Sequence, residues 1–143
     1  MTIIRRCVLG LAGLLAAMPL AAHHTYALFD LTKPTTVSAT VAKMEWRNPH
    51  VFVWAYVPDK AQGSGYKLYA FESGSVVVMS RQGWDKDAVK VGEKLTVEYL
   101  PLRSGEPGGA LLKVTHADGK VHNGDPYGRQ MIEQMKASGK APQ

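Results

Sequence analysis

The residues of this chain best suited to chemistry are histidines, and three of them have neighbours that favour a metal site. His23 and His24 directly follow two alanines typical of a signal-peptide cleavage site, and His50 follows the pair Asn48-Pro49. Cleavage before His23 would free an amine beside its imidazole, so that one residue supplies two nitrogen ligands. Nitrogen donors in a square arrangement suit Cu(II), and imidazole also suits Zn(II). We therefore predict a metal site formed by His23, His24 and His50, with copper as the favoured ion.

His50 is the favoured third ligand because of its place in the chain. Proline interrupts a strand ladder, so Asn48-Pro49 predicts a bulge or turn at a strand end, where His50 can be re-aimed toward the rim of a sheet. The alternatives are that the terminal histidines are solvated and that His50 only hydrogen-bonds a turn. His116 and His122 flank the last predicted hairpin, a position where histidines are more often simply exposed.

The first 22 residues have the three parts of an export leader. Arg5 and Arg6 precede an apolar run over residues 7–20, and small residues follow it. The run is shorter than the roughly 20 residues needed to cross a bilayer, so we predict cleavage and a soluble periplasmic protein with no membrane span. Cys7 is the only cysteine and leaves with the leader. The mature chain then has 15 basic and 12 acidic residues, a net charge of +3, and no disulfide.

A second candidate site is aromatic. Much of the aromatic content is concentrated in the middle of the chain, at Trp46, Phe52, Trp54, Tyr56, Tyr66, Tyr69, Phe71, Trp84 and Tyr99. These residues form either a stacking platform for a flat or sugar-like ligand or, as is more usual, the hydrophobic core. The ligand-binding candidates are Trp46, Trp54 and Trp84, with Arg47 and Arg81 as cationic groups for an anionic ligand. Each arginine is alternatively an ordinary surface residue.

Sequence signatures of catalysis are absent. The chain has no GxSxG, HExxH, P-loop, GxGxxG or CxxC motif. Its basic residues form no run, which does not favour nucleic-acid binding. A binding module is therefore favoured over an enzyme, with an unidentified small ligand or a periplasmic protein as its partner. A purely structural or partner-binding protein is the third class that the sequence leaves open.

The elements that would position these residues are mainly strands. Apolar residues recur with the two-residue period of strands over residues 35–41, 51–57, 66–71, 95–100 and 110–116. Ser73-Gly74-Ser75 supplies N-cap candidates for a short helix over residues 76–82, which Gly83 ends. Asp118-Gly119 predicts a tight turn into a short return strand at residues 120–122, and Asp125-Pro126 can cap a last helix.

Three strands, a short helix and two further strands is the element order of an oligonucleotide/oligosaccharide-binding (OB) barrel. We therefore predict a mainly β fold, a small five-stranded OB-like barrel with one short helix between strands three and four. An open β-sandwich is the alternative, because strand count alone does not determine closure. The predicted organisation is a signal peptide over residues 1–22, a single barrel domain over 23–122, and a polar tail over 123–143 that can hold a short helix.

Several short motifs resemble those of one protein family. They are the histidine pair with Thr25-Tyr26 and Phe29-Asp30, the stretch Trp46-Arg47-Asn48-Pro49-His50, and Arg81-Gln82-Gly83-Trp84. The chain resembles a family of small exported bacterial proteins, classed as a domain of unknown function, whose members typically carry His-His-Ser-Phe, Phe-Asp and Trp-x-Asn-Pro-His. The resemblance covers nearly all of residues 23–121 and departs at Thr25-Tyr26. It implies a signal peptide and a periplasmic setting, and it brings no established activity.

Overall fold

The computed structural model describes residues 26–59, 61, 63 and 65–139. The predicted leader and two of the predicted metal ligands, His23 and His24, lie outside the described residues. In chain order the elements are β1 (Thr35–Glu45), β2 (Phe52–Asp59), β3 (Gly65–Glu72), α1 (Val76–Arg81), β4 (Lys94–Pro101), β5 (Gly108–His116), β6 (Val121–Asn123) and α2 (Pro126–Ser138). Among the described residues, no helix combines the length and the apolar character needed to cross a membrane.

The strands form a closed barrel. Their order in the sheet is β3-β2-β1-β4-β5-β6, and a parallel pairing between β3 and β5 completes the ring. The first half of the long strand β1 pairs with β4 and its second half pairs with β2, with a register irregularity between Val41 and Lys43. The predicted five-stranded OB-like barrel with a helix after the third strand is confirmed, and β6 is added at its edge. The open β-sandwich is wrong, because the β3–β5 pairing removes the free edges of the five-strand sheet.

Alternating side chains on β2 supply one wall of the core. Val51, just before the strand, and Val53, Ala55 and Val57 within it are at most 6% exposed. The intervening aromatic side chains point to the outer face, where Phe52 and Trp54 are half-buried and Tyr56 is exposed. Successive strand residues face opposite sides of a sheet, so the sequence pattern already separates these two sets.

The short helix α1 closes one opening of the barrel. Ser75 is its N-cap, and the Ser75 side chain accepts a hydrogen bond from the backbone N–H of Val78. Met79 is fully buried, and Gly83 adopts the left-handed backbone conformation directly after the helix. The chain then turns inward at Trp84, so helix and indole together cover the core.

A second apolar cluster lies outside the barrel against β4 and β5. Phe29 and Leu31 from the N-terminal segment pack with Leu100 and Leu112 of the strands and with Ile132 of α2. Asp125 caps α2 by accepting a hydrogen bond from the N–H of Tyr127, and Pro126 occupies the first turn as the sequence suggested. β5 is therefore buried on both faces for most of its length.

Two glycines at the start of β5 allow it to approach its two neighbours closely, Gly108 toward β3 and Gly109 toward β4. Gly108 has φ of +138°, and a Cβ placed there would overlap the carbonyl oxygen of Ala70 on β3. A Cβ at Gly109 would overlap the carbonyl oxygen of Leu100 on β4. Side chains at these positions would push the strands apart at the seam of the barrel.

We expect Gly108→Ala to destabilise the protein by about 3 kcal/mol or more, because the added methyl group meets backbone atoms that cannot move aside. Gly119→Ala is the matched control, since Gly119 also has positive φ but nothing lies within 4 Å of its added Cβ. We expect this control to cost only about 1 to 2 kcal/mol of backbone strain. Urea denaturation of both variants checks the difference, and equal losses would contradict the close approach at the seam.

An ion-pair cluster on Glu98 joins α2 to the barrel and predicts a pH dependence. Its carboxylate accepts a hydrogen bond from Lys113 at 2.8 Å and lies 3.6 Å from Arg129 of α2. The bond from Lys113, with the charge of Arg129, lowers the pKa of Glu98 below its ordinary value. A carboxyl group with a lowered folded-state pKa stabilises the fold above the pKa of the unfolded chain, and this contribution is lost as pH falls through the folded pKa.

Glu98→Gln should therefore reduce the free energy of unfolding at neutral pH, on the order of 0.5 to 1 kcal/mol. The difference from the unaltered protein should shrink as pH falls from the pKa of glutamate in the unfolded chain, about 4.3, toward the lowered pKa of folded Glu98. Urea denaturation at several pH values measures it. The control is Glu106→Gln, which removes an exposed carboxylate outside the ion pairs of the described residues. A Glu98→Gln effect that is independent of pH would contradict an electrostatic origin.

Candidate functional site

A histidine–carboxylate pair lies at the end of the barrel where β3 finishes. His50 stands just before β2, and the Nδ1 atom of its ring lies 2.5 Å from Oε1 of Glu72, the last residue of β3. The antiparallel register of the two strands pairs Phe52 with Glu72, which brings His50 beside the glutamate. Both side chains are partly exposed, at 36% for His50 and 26% for Glu72.

Local backbone contacts hold His50 in this place. The Asn48-Pro49 peptide bond is cis, and the Asn48 side chain accepts a hydrogen bond from the N–H of Val76 at the start of α1. The N–H of Val51 donates to the carbonyl of Gly74, and the N–H of Ser73 donates to the carbonyl of Val51. The segment that carries His50 is thus fastened on both sides to the loop between β3 and α1, which fixes the direction of the imidazole.

Burial affects the acidic partner of this pair. Removal of Glu72 from water raises its pKa above the ordinary value, and the nearby His50 ring acts in the opposite direction. Nδ1 of His50 is engaged by the carboxyl group, so Nε2 is the nitrogen left for another ligand. A histidine whose second nitrogen is held by a carboxylate is the common arrangement of histidines that bind metal ions. The pair can therefore present an oriented imidazole to a cation.

Tyr26, the first described residue, lies beside the same pair. A small cavity of about 20 Å³ is lined by Tyr26, Phe29, His50, Glu72, Ser73, Ala110 and Asp125. The Tyr26 ring contacts the rings of Phe29 and Tyr127 at centroid distances of 5.8 and 5.5 Å. Burial, together with the carboxyl groups of Asp125 and Glu72, raises the pKa of the Tyr26 phenol well above its ordinary value. The N-terminal segment is therefore docked next to His50, with Phe29 buried and Leu28 exposed.

A larger open cleft adjoins the pair on its other side. It has a volume of about 450 Å³ and is lined by Arg47, Asn48, Pro49, His50, Phe52 and Glu72. Arg47 is exposed and forms an ion pair with Glu45 at 2.9 Å, and Glu45 also accepts a hydrogen bond from Lys43. The structure thus brings two predicted site residues, Arg47 and His50, to one cleft.

The predicted aromatic residues occupy different environments. Trp54 is half-buried on the outer face of β2, where its ring stacks on that of Phe52 at a centroid distance of 6.1 Å. The Nζ atom of Lys43 lies over the indole, 4.9 Å from its centroid. Trp46 is half-buried and packs against the core. Of this set, Trp54 has the more open aromatic face, and its stacking neighbour Phe52 lines the cleft.

The remaining two ligand-binding candidates lie elsewhere. Trp84 is 3% exposed, and its Nε1 donates a hydrogen bond to the carbonyl of Asn123 at 2.6 Å. The indole is thus part of the core, where a ligand at the surface does not reach it. Arg81 is exposed at the end of α1.

Sequence reasoning missed Glu72, Tyr26 and Asp125 as neighbours of His50. One feature of the sequence pointed to Glu72: it is the acidic residue that ends an aromatic strand, in the position that pairs with Phe52. No feature of the sequence pointed to Tyr26 except its place shortly after the histidine pair. Within residues 26–59, 61, 63 and 65–139, no group of three or more His, Cys, Asp and Glu side chains is arranged to hold a metal ion.

The fold and this site define a small closed β-barrel of the OB type with a histidine–glutamate pair at one end. The model of a family of unknown function, DUF6152, matches residues 12–112, which is more than half of the chain. The protein therefore belongs to this family. Comparison with curated proteins and comparison with solved structures gave no match.

The docking of Tyr26 can be checked by alkaline titration of the tyrosines. We expect the folded protein and its Tyr26→Phe variant to lose phenolic protons identically up to and beyond about pH 10, because the buried Tyr26 phenol stays protonated there. After unfolding in urea, the variant should lose one phenolic proton fewer in that range. Ultraviolet difference absorbance follows the ionisation. A missing phenolic proton in the folded variant near pH 10 would show that Tyr26 is solvated.

Proposed function

We propose that the mature protein is an exported, periplasmic copper-binding protein whose ligands are the amine and imidazole of His23 together with His24 and His50. The observation that carries the proposal is the position of Tyr26 beside the His50–Glu72 pair. Tyr26 is three residues from His23, so the chain tethers the proposed terminus near the one predicted histidine ligand that the structure describes.

Chain length supports this assembly. Consecutive Cα atoms are 3.8 Å apart, so the Cα atom of His23 stays within about 11 Å of that of Tyr26. Tyr26 itself lines the small cavity with His50 and Glu72. The terminal amine and the two adjacent imidazoles are therefore tethered within reach of the oriented His50 ring, which reduces the entropy lost when they meet at one ion.

The charge of the site also suits a divalent cation. Glu72 holds Nδ1 of His50 and supplies negative charge behind the ligand, which makes the imidazole a better donor. Arg47, which lines the adjoining cleft, is paired with Glu45, a carboxylate that also binds Lys43, so the charge of Arg47 is partly compensated. The proposed site has three or four nitrogen donors, and a carboxylate binds the other ring nitrogen of one of the imidazoles. Such a donor set favours Cu(II) over Zn(II).

Isothermal titration with Cu(II) tests the proposal on a chain that begins at His23. We expect one equivalent to bind in a tight first phase. Acetylation of the His23 amine removes it as a ligand and should weaken this phase at least about tenfold. Affinity should fall as pH falls through the histidine range, because protons compete for the amine and imidazole nitrogens.

Substitutions of residues that the structure describes test the same ligand set. His50→Ala should remove a ligand, and Glu72→Gln should weaken the tight phase by about 10- to 100-fold through the loss of the carboxylate behind His50. Glu106→Gln is the control for Glu72→Gln, since it removes an exposed carboxylate from another loop. Equal affinity in the acetylated chain, or no effect of His50→Ala, would contradict the proposed ligand set.

A second candidate function is the binding of a flat or sugar-like ligand without a metal. The observation that favours it is the 450 Å³ cleft with Arg47 on one side and the stacked Phe52–Trp54 pair beside it. A thermal-shift screen of small periplasmic ligands tests it, since a ligand of the folded state raises the melting temperature. Trp54→Ala should abolish such a shift. A shift in melting temperature that survives this change would assign the ligand to another surface. Binding of a protein partner is the third class of function.

A further inference from the structure

A second pair of histidines is buried at the opposite end of β5 from Glu72. His116 is the last residue of β5 and His122 lies in β6, and their ring centroids are 5.0 Å apart at an interplanar angle of 75°. The His116 side chain is 9% exposed, and His122 is 5% exposed. Glu72 pairs with Ala110 near the start of β5, so six strand residues, about 20 Å, separate this pair from the His50 site.

Each of these two histidines has a buried ring nitrogen without a partner. Nδ1 of His116 lies 2.5 Å from Oε1 of Glu93, while its Nε2 has no hydrogen bond within the described part of the chain. Nδ1 of His122 is likewise buried and unpartnered among the described residues. A buried polar atom without a partner costs about 1 to 3 kcal/mol, so two of them on adjacent rings call for a ligand.

The chemistry of the two nitrogens identifies the kind of ligand. Nδ1 of His122 is buried without a hydrogen-bond partner among the described residues, and it offers a lone pair when the ring carries its proton on Nε2. Glu93 engages Nδ1 of His116, which makes Nε2 the lone-pair nitrogen of that ring. Two lone-pair nitrogens on adjacent rings do not satisfy one another, but a cation accepts electron pairs from both.

The separation of the rings fits one shared ion. Metal–nitrogen bonds of about 2.0 to 2.1 Å place two imidazole ring centres roughly 4.5 to 5.2 Å apart for bond angles between square and tetrahedral. The observed separation is 5.0 Å. Glu93 engages Nδ1 of His116 in the same way that Glu72 engages Nδ1 of His50. The Glu93 carboxylate also accepts a hydrogen bond from the N–H of Lys90, which holds the carboxylate in place.

We propose that His116 and His122 bind a second transition-metal ion of the class that prefers imidazole, Cu(II) or Zn(II), with Glu93 as the residue that positions His116. Two protein ligands leave coordination positions open for water or a small anion. A cleft of about 610 Å³, lined in part by Glu93, His116, Asp118 and Lys120, lies against His116 and provides the route of entry. The site is independent of the His23 terminus and does not rest on the proposed function.

Trp84 provides a reporter for this site alone. Its ring lies 5.0 Å from that of His122, and Cu(II) bound there quenches indole fluorescence at short range. The experiment uses the protein with His23→Ala, His24→Ala and His50→Ala, so that the histidine ligands of the first site are removed. Titration with copper sulfate should quench Trp84 fluorescence with saturation at one equivalent, and Zn(II) added first should reduce the quenching by competition.

Variants separate metal binding from general quenching and from misfolding. His122→Gln should abolish the saturable phase, and Trp84→Phe should keep the bound copper measured by equilibrium dialysis while losing most of the signal. Glu93→Gln, which leaves both ligands in place, should weaken binding by about 10- to 100-fold while the variant keeps a cooperative melting transition in the absence of metal. Undiminished copper binding by both His122→Gln and Glu93→Gln would overturn the proposal. So would the absence of saturable quenching, which would assign the two nitrogens to buried water.

Discussion

The parallel pairing of β3 with β5 is the constraint on which the rest of the structure depends. Without it the five strands would be an open sheet with two free edges, and the core residues Phe71 and Val97 would face solvent from one side. The pairing is short, and it occurs where Gly108 and Gly109 let the backbones approach. This parallel contact joins strands separated by α1 and β4 in sequence, so its formation closes a longer loop than the hairpin pairings and costs more chain entropy.

Antiparallel strand pairing creates the two candidate sites. At one end of β5, the β2–β3 pairing places Glu72, at the end of β3, next to the segment that carries His50. At the other end, β6 folds back on β5 and places His122 against His116 and Trp84. Each site therefore combines a histidine with a glutamate from a different part of the chain, and each glutamate occupies Nδ1 so that the other ring nitrogen is presented to a ligand.

The elements outside the barrel connect the termini to this frame. Phe29 and Leu31 occupy the same apolar cluster as Ile132 of α2, so the N-terminal segment and the C-terminal helix stabilise one another on the surface of β4 and β5. Asp125 links them further, because its N–H donates to the Ser73 hydroxyl while its carboxyl group caps α2 near Tyr26. The position of the N-terminal segment is thus determined by hydrophobic packing about the barrel and by a helix more than 90 residues further along the chain.

The sequence by itself determined the secondary structure, the two faces of each strand and the order of the barrel elements, because these follow from local periodicity and turn chemistry. Val53 and Ala55 alternate with Phe52 and Trp54 whatever lies across the sheet, and Ser75 and Asp125 cap their helices through bonds to neighbours two or three residues away. It also singled out His50. Only the tertiary structure decided that Glu72 is its partner, that Trp84 is core rather than platform, and that His116 and His122 are buried together. These facts depend on strand register and closure, which join residues distant in sequence through contacts that no local pattern records.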